Sequence, residues 1–477
     1  MRARLVAFAA TAALIAGCAV GPAYERPTSE LPAAWKDVPF QGMSATGDRW
    51  WTLYGDPSLD KLVDEALAHN QNLVLAAARL AEARALARVA DAALVPLVDA
   101  TAQRDRLRSS ERSSFPPPPG IPIERNTYRA QINIAYEIDL WGRLGSASRA
   151  AYADLLASEA AQETVRISLV TDTVRSYFGL LALDAQIEAT RRSLALREDN
   201  LRLQSIRQQA GLIGDFDLRQ LEAEVAAARA QLPALERSRT AEEAALAVLL
   251  GRSPRGITED AIARPPERGE PPAPVVPEGL PADLLLRRPD VVTAEQRLIA
   301  ANARISAARA ALFPRITLTG YLGSESAALA DLLSGPSRIW QLAFALAQPI
   351  FQGGRLFGEI EAIEARERQA LAQYQNTLQE AFREVRQALA AQTRSREIFE
   401  AESARAAALR DALRLARIRY ENGLVSQLEV LDAERNLLGA ELNRLEALRA
   451  QRAAVADLVK ALGGGWTGLD PVAAVRK

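Results

Sequence analysis

The chain writes one unit twice, and few folds survive that constraint. The segment "NLVLAAARLAEARALARVADAALVP", ending at Pro96, has its counterpart in "DVVTAEQRLIAANARISAARAALFP", ending at Pro314. Arg79 aligns with Arg297, Leu80 with Leu298 and Leu94 with Leu312, at an offset of 218 residues. Further along, "QQAGLIGDFDLRQLEAE" aligns with "YENGLVSQLEVLDAERN" at an offset of 212, pairing Gly211 with Gly423 and Glu222 with Glu434. Solenoid repeats run about 20–50 residues. A period this long marks a duplicated half-molecule, with one connection differing by about six residues.

Each half has the same order: helix, two strands, long helix, tip, helix. Pro96 and Pro314 close the first helices, because proline disfavours helical geometry in the residue before it. The strand 127–140 alternates cleanly. Tyr128, Ala130, Ile132, Ile134, Tyr136, Ile138 and Leu140 lie on one face; Thr127, Arg129, Gln131, Asn133, Ala135, Glu137 and Asp139 lie on the other. Residues 315–324 and 339–350 supply two more strands, and 98–107 a fourth with weaker alternation. After each second strand comes Gly-Arg, in "LWGRLG" and "FQGGRLFG". No Lys-Ser/Thr follows, so these read as flexible strand-to-helix turns rather than phosphate loops. Each long helix then covers about 65 residues, roughly 100 Å. Its apolar positions recur three and four apart, as in coiled coils.

Four strands interrupted by such helices cannot form a sandwich core, and a membrane barrel needs about eight strands. Strand edges left unpaired in lipid are not tolerated. Membrane strands here therefore require several chains in one barrel.

Composition narrows the function. Net charge is −1, without the clustered basic excess that nucleic acid demands. One histidine, His69, excludes multi-histidine metal sites and makes a Ser-His-Asp triad improbable. We expect no enzyme and no cofactor. The first 17 residues form a secretory signal, with Arg2 and Arg4 before the apolar "LVAFAATAALIA". It ends in "LIAGC", whose Cys18 is the only cysteine of the chain. "LIAGC" resembles a bacterial lipobox, which implies lipidation at Cys18. Ala19 in place of aspartate implies sorting to the outer membrane. The expected organisation is a signal peptide at 1–17, a lipidated extended segment at 18–56, a first repeat at 57–255 and a Pro-rich linker at 256–283. A second repeat at 284–466 and a tail at 467–477 complete it.

Taken in order, the lipobox, "DRWWTLYGDPSLDKLVDEALAHNQNL", "YEIDLWGRL", "QPIFQGGRL" and "RYENGLVSQLEVLDAERNLL" resemble the outer-membrane factors of tripartite efflux pumps, in the NodT-like lipoprotein branch of TolC-like proteins. The likeness spans essentially the whole mature chain. It implies an α+β membrane protein: a homotrimeric twelve-stranded outer-membrane β-barrel continued by a long periplasmic α-helical barrel. It implies passive export through a duct docked to a periplasmic adaptor and an inner-membrane transporter, of the proton-driven RND type. It implies a periplasmic gate at Leu428, Asp432 and Arg435, which share a helix face at spacings of four and three. Three Asp432 carboxylates would ring the axis, and Arg435 would pair with an acidic group to hold the helix pair shut. The first copy has Gln220 and Ala223 at the positions of Asp432 and Arg435. The tips that would meet the adaptor carry Gly211, Asp217, Gly423, Ser426 and Glu429. The competing reading is a periplasmic coiled-coil lipoprotein such as an adaptor, which would have a single hairpin instead of a duplicated half. An outer-membrane enzyme is the third, and the residue census argues against it.

Overall fold

The computed structural model describes residues 20–28, 48–114, 117–118, 120–265, 274 and 282–469. The signal segment, Cys18 and most of the Pro-rich linker lie outside the described residues. In chain order the elements are α1 (Pro57–His69), α2 (Gln71–Ala92), β1 (Leu97–Arg108), β2 (Glu124–Ile138), α3 (Arg143–Gln209), α4 (Asp215–Leu249) and the short α5 (Pro254–Glu259). The second half follows with α6 (Pro289–Ala310), β3 (Arg315–Ser326), β4 (Arg338–Ala347), α7 (Arg355–Glu421) and α8 (Gln427–Ala461). The duplication is met element by element: α3 and α7 each have 67 residues, α4 and α8 each have 35. The first helices end at Ala92 and Ala310, four residues before their prolines, in short turns whose amides bond back to the helix.

The chain divides into two units. The first combines residues 1–28, 80–158 and 294–374, and contains the sheet. Its strands run in the order β1-β2-β3-β4, every pair antiparallel. Registered neighbours share a face, so the register builds two very different surfaces. One face stacks the rows Ala100–Ile132–Leu322–Trp340 and Val98–Ile134–Gly320–Leu342, then Tyr136–Leu318–Phe344 and Ile138–Ile316–Leu346. These rows contain no charged residue. Trp340 is 77% exposed and Leu342 69%, so the apolar face is bare in one chain. The other face carries Asp99, Thr101, Asn133, Gln131, Tyr321 and Gln341, and Asn133 donates to Asp99 Oδ2 at 2.8 Å.

The strand-to-helix turn after β2 is held more firmly than a flexible linker. Gly142 takes the left-handed φ of 72° that a Cβ would strain. Around it, Arg143 bonds both oxygens of Glu137, Asp139 accepts from the Gly145 amide at 2.7 Å, and Trp141 Nε1 donates to the Pro314 carbonyl at 2.9 Å. The turn after β2 and the Pro314 turn before β3 thereby meet at one point of this unit. The N-terminal strap also belongs here. Arg26 Nε donates to the buried Glu295 of α6 at 2.6 Å, and Tyr24 donates to the same carboxylate at 3.2 Å. Burial, then Glu295, push the Tyr24 hydroxyl pKa up. A side chain at Gly21 would collide with Ser306.

The second unit combines residues 29–79, 159–293 and 375–477. Its core gathers Leu59 and Val63 of α1, Val174, Tyr177 and Leu180 of α3, Leu246 of α4, Val385 of α7, and Leu458 and Val459 of α8. Asp56 caps α1, accepting from the Ser58 amide at 2.8 Å, and also accepts from the Tyr177 hydroxyl at 2.5 Å. That single carboxylate satisfies free helix donors and fixes the helix on α3. Among the described residues, no helix is long and apolar enough to cross a membrane.

Candidate functional site

The functional residues expected from sequence fall at the two turns that join the long helices. In each, the long helix stops at a glycine in the left-handed region: Gly211 at φ 74° and Gly423 at φ 71°. The capping bonds are the same. Leu212 N donates to the Arg207 carbonyl and Leu424 N to the Arg419 carbonyl, both at 2.9 Å, which satisfies end-of-helix acceptors in the Schellman manner. Gly214 and Ser426 then start α4 and α8 from extended backbone, and the Ser426 hydroxyl makes no capping bond. Asp217 and Glu429 sit in the first turns of these helices, where a carboxylate suits the positive end of the helix dipole. The tips also bare Leu212, Phe216 and Leu424, exposed by 68%, 77% and 70%.

Leu428, Asp432 and Arg435 lie on one side of α8, all accessible. Arg435 Nη2 donates to Asp432 Oδ1 at 2.9 Å. This pair lies within a single helix, so in one chain it ties nothing across. The side chains that bond α7 to α8 beside this turn are others. Arg417 of α7 bonds Glu434 of α8 at 2.7 Å, and Arg419 bonds Glu429 at 3.2 Å. The two halves meet at Gln204 of α3, which is 1% exposed. Its amide donates to the Tyr420 hydroxyl of α7 at 2.9 Å and to Gln427 of α8 at 3.0 Å. Arg207 donates to the same hydroxyl at 3.1 Å. Below this network Leu413, Ala416 and Val430 pack together with Tyr420 against them. Exposed ion pairs are each worth about 0–1 kcal/mol, whereas a buried amide losing its partners costs about 1–3 kcal/mol. Gln204 is therefore the stronger tie. Nothing in its own helical neighbourhood distinguishes it, and its partners stand 216 and 223 residues away.

Known proteins show the same plan. The family model described as outer membrane efflux protein matches residues 62–252 and 280–464, one match for each half. Outer membrane protein OprJ of Pseudomonas aeruginosa is 36% identical over 471 residues, covering 97% of each chain. The antibiotic efflux pump outer membrane protein ArpC of Pseudomonas putida is 34% identical, over 97% of this chain and 96% of its own. The crystal structure of the CmeC outer membrane channel of Campylobacter jejuni superposes with a TM-score of 0.87 at 26% identity, over 96% of this chain and 98% of that one. Matched in both halves and aligned nearly end to end with curated efflux proteins, the chain belongs to the outer membrane efflux protein family and serves as an exit duct of efflux pumps.

Proposed function

We propose that three copies of this chain close one barrel, and that the duct so formed passes small molecules such as drugs outward without an energy source of its own. The observation that carries this reading is the four-stranded sheet with two free edges and one face whose four rows nearest the helices are apolar and uncharged. In lipid, β1 and β4 must find partners, and the apolar face fits only a hydrocarbon surround. Three chains supply twelve strands to one wall. Each long helix then has neighbours on both sides, and the six tips ring the periplasmic mouth.

At that mouth the tips offer exposed Leu212, Phe216 and Leu424, flanked by Asp217 and Glu429. Small apolar knobs beside acidic first turns suit a helical-hairpin adaptor, which links the duct to an inner-membrane transporter of the RND type. Gly211, Gly423 and Ser426 shape the turns that present them. Leu428, Asp432 and Arg435 form the constriction, with three Asp432 carboxylates making an anionic ring. Replacing Asp432 and Arg435 together by alanine raises single-channel conductance in planar bilayers; conductance equal to the parent removes them from the gate.

Cys18 carries the lipid anchor. The strap supports this: Gly21 lies against Ser306, in the last two turns of α6, close in sequence to the start of β3 at Arg315. Three residues span at most about 11 Å. Labelled palmitate enters the parent and is absent from Cys18→Ala; equal labelling of both would place the anchor elsewhere.

A further inference from the structure

The sheet's apolar face does not stay apolar to its end. Above the row containing Trp340 comes Ala102–Ala130–Ser324–Arg338, then Arg104–Tyr128–Ser326, Arg106–Asn126 and Arg108–Glu124. This end is the one farthest from the helices, where the loops 109–123 and 327–337 connect the strands. Four arginines meet one glutamate on the lipid-facing side. The opposite face of the same stretch is balanced, with Arg125 and Arg129 against Asp105 and Glu325.

The local contacts leave the arginines free to take a ligand. Arg106 and Arg108 both bond the single Glu124, at 2.7 and 3.0 Å, and their side chains are 68% and 71% exposed. Arg104 lies over the Tyr128 ring at 5.5 Å. Arg338 is exposed at the first position of β4, opposite Ser324. A guanidinium has five donors in a fixed fork, so one shared carboxylate leaves most of them unused. Trp340 and Tyr128 set the depth: such aromatics sit at the headgroup level of a membrane. Arginines just above them on the lipid side stand where the phosphates of a leaflet lie.

We propose that this belt binds the phosphate groups of a phosphorylated glycolipid in the outer leaflet, at a site completed between neighbouring chains. The second clause rests on the trimer proposed above. Strand β4 of one chain beside β1 of the next brings Arg338 to the three arginines of β1. The fork geometry suits bidentate phosphate contacts, and acyl chains below would lie on Val98, Ile132, Leu342 and Trp340.

Binding of purified diphosphorylated lipid A to the detergent-solubilised full chain, followed by native mass spectrometry, tests this. The parent binds lipid A and discriminates against its phosphate-free form by at least tenfold. The double variant Arg106→Gln, Arg108→Gln loses at least tenfold in affinity, and Arg125→Gln on the opposite face loses none. Equal binding of the two lipids by the parent overturns the proposal whether or not any variant folds. So does a double variant that binds as the parent, or an Arg125→Gln loss as large as its own. Millimolar inorganic phosphate stripping the lipid completely would make the belt a free-anion site and also overturn it. The trimer is read separately, from the mass of the lipid-free particle, so its failure cannot be mistaken for a failure of the belt.

Discussion

Gln204 concentrates the chemistry of the tips in one side chain. Buried, it gives its two amide protons to Tyr420 and Gln427, one on each helix of the other half. Replacing it by alanine takes from the Gln427 side-chain carbonyl the bond that Gln204 gives it and leaves the Tyr420 hydroxyl with Arg207 alone, at a cost of about 1–3 kcal/mol. If the tips must part for the duct to open, Gln204→Ala raises the open probability in planar bilayers by a larger factor than Arg419→Ala, which removes only an exposed ion pair. A Gln204→Ala channel with parental gating would reduce this residue to packing. The sequence displays Asp432 and Arg435 because they stand in a motif and break the likeness of the two copies. It does not display Gln204, whose role exists only after two distant helices have folded beside it. Nor does it show that Arg435 bonds Asp432 of its own helix. Spacing of three permits that pair, but spacing alone cannot choose between it and a partner on another helix.

At the scale of elements, the period of each segment was legible and its ends were less so. The alternation of β2 is plain in residues 127–140, yet the strand runs from Glu124 to Ile138, because β1 offers partners up to Arg108 and the chain then bends toward Trp141. β1 itself alternates poorly: Arg104, Arg106 and Arg108 occupy positions on the same face as Val98 and Ala100. That weak alternation is informative in retrospect, since those arginines lie beyond the apolar rows. Proline marked the ends of α2 and α6, but Pro233 lies inside α4 without ending it. An interior proline costs about 3 kcal/mol, and the burial of Leu221, Val225 and Leu246 along the same helix offsets it. Glycine was the better guide. Gly211 and Gly423 end their long helices because each tip needs a left-handed residue, and the matching bonds of Leu212 and Leu424 follow from that. The "LWGRLG" turn shows the limit of reading glycine as flexibility: the residues around Gly142 tie it down through Glu137, Asp139 and Pro314.

For the whole molecule, duplication and strand count carry most of the inference. Two copies of a unit with two strands each give an open sheet of four, and an open sheet with an apolar face is incomplete in a membrane. The reading in which three chains complete it accounts for several features together: the bare face around Trp340 and Phe344, the free edges of β1 and β4, and helices far longer than one chain's core requires. It also explains why the two tips differ, since a duplicated half in a trimer gives six similar positions of two kinds. Only the second kind carries Asp432 and Arg435, where the first has Gln220 and Ala223. The number of chains is thus the quantity on which the rest depends. Native mass spectrometry of the full-length protein, released gently from detergent without heating, reads it directly. A particle of three chains is the predicted result. A single chain or a pair would contradict it, leaving four or eight strands where twelve are required.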